Sequence, residues 1–149
     1  EIAEAPFAAR ALDVLVVDDN EINALLSRAA LAHMGHAVAL AADGAAAVEA
    51  VAAARADGHP FDAVLMDLHM PGLDGFSTIR ALREAEAEDG DRRLMVIALT
   101  ADGTPAAAER ARASGADATM VKPIDRNRLA ALLARLARAP AAADHALTA

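Results

Sequence analysis

The sequence contains no cysteine, tryptophan or tyrosine, and Phe7, Phe61 and Phe76 are its only phenylalanines. Without cysteine there is no disulfide framework, thiolate metal site or cysteine nucleophile. With so few rings there is no stacking platform for single-stranded nucleic acid. Cations are scarce as well: 14 Lys and Arg stand against 22 Asp and Glu, a net charge of −8. That balance argues against a nucleic-acid partner. No apolar run approaches the ~20 residues that span a bilayer, so no membrane contact by this segment is expected. No signal-peptide pattern is recognised at the first residues. The five histidines are scattered, with no two at the i, i+4 spacing of a helical zinc pair.

What remains is 149 residues, enough for one domain with a real core. The apolar fraction is 56%, but 44 of those residues are Ala. The core must therefore be built of Leu, Val, Ile, Met and Ala. Residues 1–11 and 140–149 lack periodicity and contain Pro6 and Pro140, as linkers do. The structured domain is expected over 12–139. The first residue is Glu1 rather than Met, and a module of a longer chain is the expectation.

Five short apolar runs recur: Val14–Val17, Ala37–Leu40, Ala63–Met66, Met95–Leu99 and Ala118–Val121. Their ends fall 23, 26, 33 and 22 residues apart. Short runs without polar alternation suit strands buried on both faces. Helix-length stretches between them make this a βαβ repeat with a parallel sheet, (βα)₅. The first helix shows Ile22, Leu25, Leu26 and Ala29 at amphipathic spacing, with Asn20 as N-cap and Gly35 beyond its end. The second opens at Asp43-Gly44, and the third carries Phe76, Ile79 and Leu82. The fourth opens at Thr104-Pro105 and carries no apolar residue larger than Ala or Pro, so it is expected to be the most weakly held. The fifth carries Leu129, Leu132, Leu133 and Leu136.

The residues after these runs carry the chemistry. Asp18-Asp19 follow the first, Asp67 the third, Thr100 the fourth and Lys122 the fifth. Open parallel sheets bind ligands beyond the carboxyl ends of their strands. Taken singly, each residue has an ordinary explanation: a helix cap, a turn, a solvated surface group. Together, four of five strand ends present complementary groups at one edge. Two carboxylates ~4 Å apart repel by roughly 4 kcal/mol at an effective dielectric near 20, so a proton or cation must relieve them. Hard oxygen ligands beside a phosphate suit Mg²⁺. A carboxylate nucleophile beside Mg²⁺ and Lys122 can form an aspartyl phosphate. His33, His36, His59 and His145 are expected at the surface or at helix ends, and Met34, Met66, Met70, Met95 and Met120 in the core or at the site rim.

Four motifs carry a family resemblance: Val16-Val17-Asp18-Asp19-Asn20, the stretch from Met66-Asp67-Leu68-His69 through Pro71-Gly72-Leu73-Asp74-Gly75, Ala98-Leu99-Thr100-Ala101, and Val121-Lys122-Pro123-Ile124. The chain resembles response-regulator receiver domains over about 12–139, and the run at 18–23 resembles receivers attached to hybrid histidine kinases. The resemblance implies a single flavodoxin-like doubly wound domain with strand order 2-1-3-4-5. It implies Asp67 as phosphoacceptor, Asp19 as direct and Asp18 as water-mediated Mg²⁺ ligands, and the His69 backbone carbonyl as a further ligand. Thr100 and Lys122 would hold the phosphoryl oxygens, and Lys122–Pro123 would be a cis peptide. The donor would be a histidine kinase dimerisation and phosphotransfer domain or a histidine phosphotransfer protein. It would dock on Ile22, Asn23, Leu26, Pro123 and Ile124. A cytoplasmic segment, monomeric in isolation, is expected; the parent chain could be a membrane-anchored hybrid kinase. Two departures stand out. Thr119 occupies the family's usual aromatic switch position, and His69 and Asp102 occupy positions that influence phosphate lifetime; His69 is assigned no role beyond its carbonyl. Haloacid-dehalogenase-type phosphohydrolases use a similar residue set, but with Asp-x-Asp after the first strand. A docking-only pseudo-receiver is the third reading, which the intact residue set argues against.

Overall fold

A computed structural model describes residues 11–69, 74–89 and 94–138. Residues 1–10 of the expected 1–11 linker, the expected linker at 140–149, residue 139, the 70–73 part of the second motif, Phe7, Met70 and His145 lie outside the described residues. The chain alternates β1 (Asp13–Val17), α1 (Glu21–His33), β2 (Ala37–Ala41), α2 (Gly44–Ala56), β3 (Ala63–Asp67), α3 (Gly75–Asp89), β4 (Met95–Thr100), α4 (Pro105–Ser114), β5 (Ala118–Val121) and α5 (Arg126–Arg138). The strands form one parallel sheet in the order β2-β1-β3-β4-β5. The expected (βα)₅ fold is thus realised, with strands β1 to β4 one residue longer than the apolar runs.

Burial on both faces holds for the three central strands, whose Val14–Val17, Ala63–Asp67 and Val96–Thr100 stretches are buried. It does not hold for β2 and β5, which take the two edges and leave Leu40 and Val121 exposed. One core layer gathers Leu15, Val17, Val64, Met66, Val96 and Ala98 against α2, α3 and α4. The other gathers Val14, Val16, Leu65, Ile97, Leu99 and Met120 against α1 and α5, where Leu31, Leu129 and Leu133 are buried.

The helix boundaries follow the capping chemistry. Asn20, Asp43 and Thr104 side chains accept the amides of Asn23, Ala46 and Ala107. The α1 stripe, however, points outward. Ile22 and Leu26 are 69% and 59% exposed, and Leu25 is 41% exposed. The sheet is instead met by Ala24, Ser27, Ala30 and Leu31. Small residues allow the helix to sit close to the sheet, and periodicity reports an apolar face without saying what covers it.

Polar contacts tie the amino ends of the strands together. Arg83 of α3 donates from Nε to the Gly115 carbonyl at 2.9 Å, and its terminal nitrogens reach the Leu94 carbonyl, Glu86 and Asp117. Gly115 ends α4 at φ +121°, and a Cβ there would lie 2.8 Å from Arg83 Cγ. His36 follows the end of α1, as expected, with its amide bonded back to the Leu31 carbonyl; it is half-buried, and its Nδ1 accepts the Leu12 amide at 3.1 Å. Met66 and Met120 lie in the core as expected, with Met34 and Met95 packed against it.

In α4 only Ala111 and Ser114 are buried. Its attachments to α3 include the Arg110 guanidinium 4.0 Å from the centre of the Phe76 ring and the Arg80–Ser114 hydrogen bond. A cation–π contact of this kind is worth about 0.5–1 kcal/mol at an exposed site. Hydrogen-exchange mass spectrometry should therefore find α4 exchanging faster than α5, and Phe76→Ala should accelerate α4 further while leaving α5 unchanged. A second outcome concerns pH. Burial holds the His36 imidazole below its ordinary pKa, against an upward pull from Asp62. A depressed histidine pKa stabilises the fold fully above about pH 6.5 and loses that contribution as pH falls through the folded pKa. Urea unfolding midpoints should drop between pH 7.5 and 5.5, and the drop should be smaller in His36→Gln.

Candidate functional site

The parallel register brings the strand ends together. Val17 pairs with Met66, Asp67 with Leu99, and Thr100 with Val121. Asp18 therefore stands beside Asp67, with Thr100 and Lys122 one and two steps further along a rising edge. Backbone bonds continue the pattern past the strands, from the Leu68 amide to the Leu99 carbonyl at 2.9 Å and from the Lys122 amide to the Thr100 carbonyl at 2.8 Å. The reversal of strand order between β1 and β3 opens the crevice here.

Asp67 is 2% exposed. Its Oδ1 accepts from Lys122 Nζ at 2.9 Å and from the His69 amide at 3.0 Å. Its second oxygen takes no N–H from the protein among the described residues. Asp18, Asp19 and Asp67 each place a carboxylate oxygen within 4.8 Å of the others. Asp18 is buried and Asp19 exposed, and Asp18 Oδ1 accepts the Asn20 amide at 2.9 Å. Burial, first, and the Asp67 charge raise the Asp18 pKa; the Asn20 amide and Lys122 oppose that rise without cancelling it. The cluster thus carries more negative charge than Lys122 offsets, and its donors are all hard oxygens. That donor set fits Mg²⁺, which tolerates few protein ligands and keeps waters.

Lys122–Pro123 is cis, as the resemblance implied. Gly75 also positions the site. A Cβ there would come within 2.8 Å of both the Asp67 carbonyl and Leu68 Cα, so only glycine lets α3 begin against the end of β3.

Two features escaped the sequence reading. The His69 side chain reaches the site, with Nε2 3.4 Å from Thr100 Oγ1, while the Asp102 amide donates to that same hydroxyl at 2.9 Å. The buried Thr100 hydroxyl is therefore held by the two residues that also border the site. Nothing in a lone histidine after a turn announces this; it follows from the β3–β4 register. The other missed signal was in plain view: Lys122 is the chain's single lysine, among 13 arginines. Of the expected docking residues, Ile22, Asn23, Leu26 and Pro123 are exposed and Ile124 is half-buried. Asn23, Leu26, Pro123 and Ile124 line one cleft beside the site together with Asp18 and Lys122.

Comparison with known proteins decides the family. Residues 14–134 match the model of the response regulator receiver domain. The chain belongs to the response-regulator receiver family. This receiver is 41% identical over 125 residues to the sensor protein GacS of Pseudomonas syringae pv. syringae, covering 84% of this chain and 13% of that protein. It is 39% identical over 128 residues to the sensory/regulatory protein RpfC of Xanthomonas campestris pv. campestris, covering 86% and 17%. The receiver therefore spans a small part of the length of these relatives. Among solved structures it resembles the receiver domain of sensor histidine kinase PA1611 from Pseudomonas aeruginosa PAO1, at 34% identity and TM-score 0.71, covering 85% of this chain and 98% of that one. That crystal structure has a magnesium ion coordinated in its active-site cleft. The chemotaxis protein CheY4 of Vibrio cholerae matches at 28% identity and TM-score 0.71, covering 85% and 99%. The receiver is a module of two-component phosphorelay signalling, and among the described residues no helix is long and apolar enough to cross a membrane.

The raised pKa of Asp18 sets a stability outcome. Its charge opposes folding at neutral pH, so the contribution is favourable at low pH and lost as pH rises through the raised value. Asp18→Asn keeps an oxygen for the Asn20 amide and removes the repulsion from Asp67. In metal-free buffer at pH 7, differential scanning calorimetry should show it melting about 3–6 °C higher than the parent, the shift expected for roughly 1 kcal/mol.

Proposed function

We propose that this receiver accepts a phosphoryl group on Asp67 from a phosphohistidine donor in a Mg²⁺-dependent reaction. The observation that carries the reading is the Asp67–Lys122 ion pair inside the three-carboxylate cluster. The free oxygen of Asp67 attacks phosphorus, the phosphorus–nitrogen bond breaks, and the donor imidazole leaves with the bonding electron pair and takes up a proton. Lys122 holds Asp67 aligned, then holds a phosphoryl oxygen as a point charge. The Thr100 hydroxyl turns from His69 to a second phosphoryl oxygen. Asp18, Asp19, Asp67 and the His69 carbonyl would hold Mg²⁺, which when bound neutralises charge on the transferring group.

The donor is a histidine kinase dimerisation and phosphotransfer domain or a histidine phosphotransfer protein. Exposed Ile22 and Leu26 on α1, with Asn23, Pro123 and Ile124 beside them, form an apolar surface at the rim of the site. Helix docking uses such anchors. Residues 12–139 serve as the receiver of a longer, membrane-anchored hybrid kinase, with 1–11 and 140–149 as linkers and the receiver itself cytoplasmic. The likeness to GacS and RpfC supports that placement.

Incubation with acetyl phosphate and Mg²⁺, followed by intact mass, tests the reading. The parent should gain one phosphoryl group that hydroxylamine removes, and Asp67→Asn should gain none. Omitting Mg²⁺ should abolish labelling, and Asp19→Asn should weaken Mg²⁺ affinity more than Asp18→Asn. An unlabelled parent would make this a docking-only receiver, and a labelled Asp67→Asn would move the acceptor elsewhere.

A further inference from the structure

Between α1 and α5 lies an open cleft of about 520 Å³, lined by Leu26, Ser27, Ala30, Leu99, Leu129 and Arg126 along with the site-rim residues already named. Its volume falls within the ~300–1,000 Å³ of small-molecule sites, which combine apolar walls with a few placed polar groups. Exposed Leu26 and half-buried Ile124 supply the accessible apolar wall, with Ala30, Leu99 and Leu129 buried behind them. Ser27 is 7% exposed and lines the cleft, yet its hydroxyl makes no hydrogen bond within the protein among the described residues. No buried side-chain oxygen among the described residues lacks a partner, so this hydroxyl keeps accessible surface and is open to whatever occupies the cleft. Arg126, the first residue of α5, is exposed at this cleft and has no ion-pair partner among the described residues.

We propose that this cleft binds a small organic carboxylate with an apolar body. The body lies against Leu26 and Ile124 over the buried Ala30, and the acid group pairs with the Arg126 guanidinium, whose planar fork matches a carboxylate. The Asp18 carboxylate in the same lining repels an anion and directs the acid group to Arg126. Ser27 hydrogen-bonds a polar atom of the ligand or of a water that accompanies it. A cation of the same shape has no counter-charge at Arg126 and is rejected there. If the docking surface proposed above is correct, the ligand covers part of it through Leu26 and Ile124 and slows transfer from a protein donor. It leaves labelling by acetyl phosphate unaffected, because that small donor needs no docking surface.

Two-dimensional ¹H–¹⁵N NMR with hexanoate as the probe tests the site, with hexylamine as the matched cation. Hexanoate should give saturable shifts concentrated at Ser27, Ala30, Ile124 and Leu129. Arg126→Gln should weaken its affinity about tenfold, the effect of losing roughly 1.4 kcal/mol, and Ser27→Ala should weaken it several-fold. Acetyl phosphate labelling of the Arg126→Gln protein confirms an intact fold and site independently of hexanoate binding. Non-saturating shifts, equal binding of hexylamine, or an unchanged affinity in Arg126→Gln would each overturn the proposal. An unlabelled parent that still binds hexanoate would count against the phosphoacceptor reading and leave the carboxylate site standing on its own titration.

Discussion

One ammonium group holds three carboxylates at a single sheet edge. Asp18, Asp19 and Asp67 crowd within 4.8 Å, and the Lys122 Nζ contact at 2.9 Å is the ion pair made within that cluster. The fold is arranged around this imbalance. Parallel register sets the height of each strand end, and Gly75 lets α3 start against β3 without a clash. A lysine suits the place because its charge is compact and its stem flexible, whereas a guanidinium would demand a planar, two-pronged partner. Buried charge left over after such pairing is energetically unfavourable, which is why the site is complementary to a cation.

The two ends of the sheet differ in how they are joined. At the amino end, Arg83 connects α3, the start of β4 and the turn after α4, while His36 ties the starts of β1 and β2. At the carboxyl end, the loop after β4 mostly bonds to itself, through Asp102 to Thr100 and Thr104 to Asp102. Thr104 then caps α4, whose buried face amounts to Ala111 and Ser114. The segment leading from Thr100 into α4 is thus joined to the rest of the fold more sparsely than the amino end is. Thr119 holds the half-buried position in β5, and no aromatic ring stands there.

The placement of the acidic and basic residues was legible because buried parallel strands are short, and their ends are conspicuous when polar residues follow apolar runs. Asp67, Thr100 and Lys122 could be assigned to one edge for that reason. Direction and context were harder to see. The spacing of Ile22, Leu25 and Leu26 marks a helix correctly, but Ala24, Ser27 and Ala30 were too small to register as the packing face. Edge and centre strands differ in their neighbours rather than in their own residues, so β2 and β5 looked like β1, β3 and β4. His36 and His69 depend on contacts across 24 and 31 positions of sequence, which no local pattern encodes.

The outward stripe of α1 separates two demands that usually compete. The face that anchors the helix is made of small residues already fixed by close approach to the sheet, while the large side chains at Ile22, Leu25 and Leu26 contribute little to the interior. Exposed substitutions of this kind usually change stability by no more than about 0.5 kcal/mol. The helix can therefore be rewritten on its outer side with the fold intact, one residue at a time and without compensating changes beneath it. In duplicated copies of such a module, the outer surface can diverge along α1 while the carboxylate cluster around Asp67 stays the same.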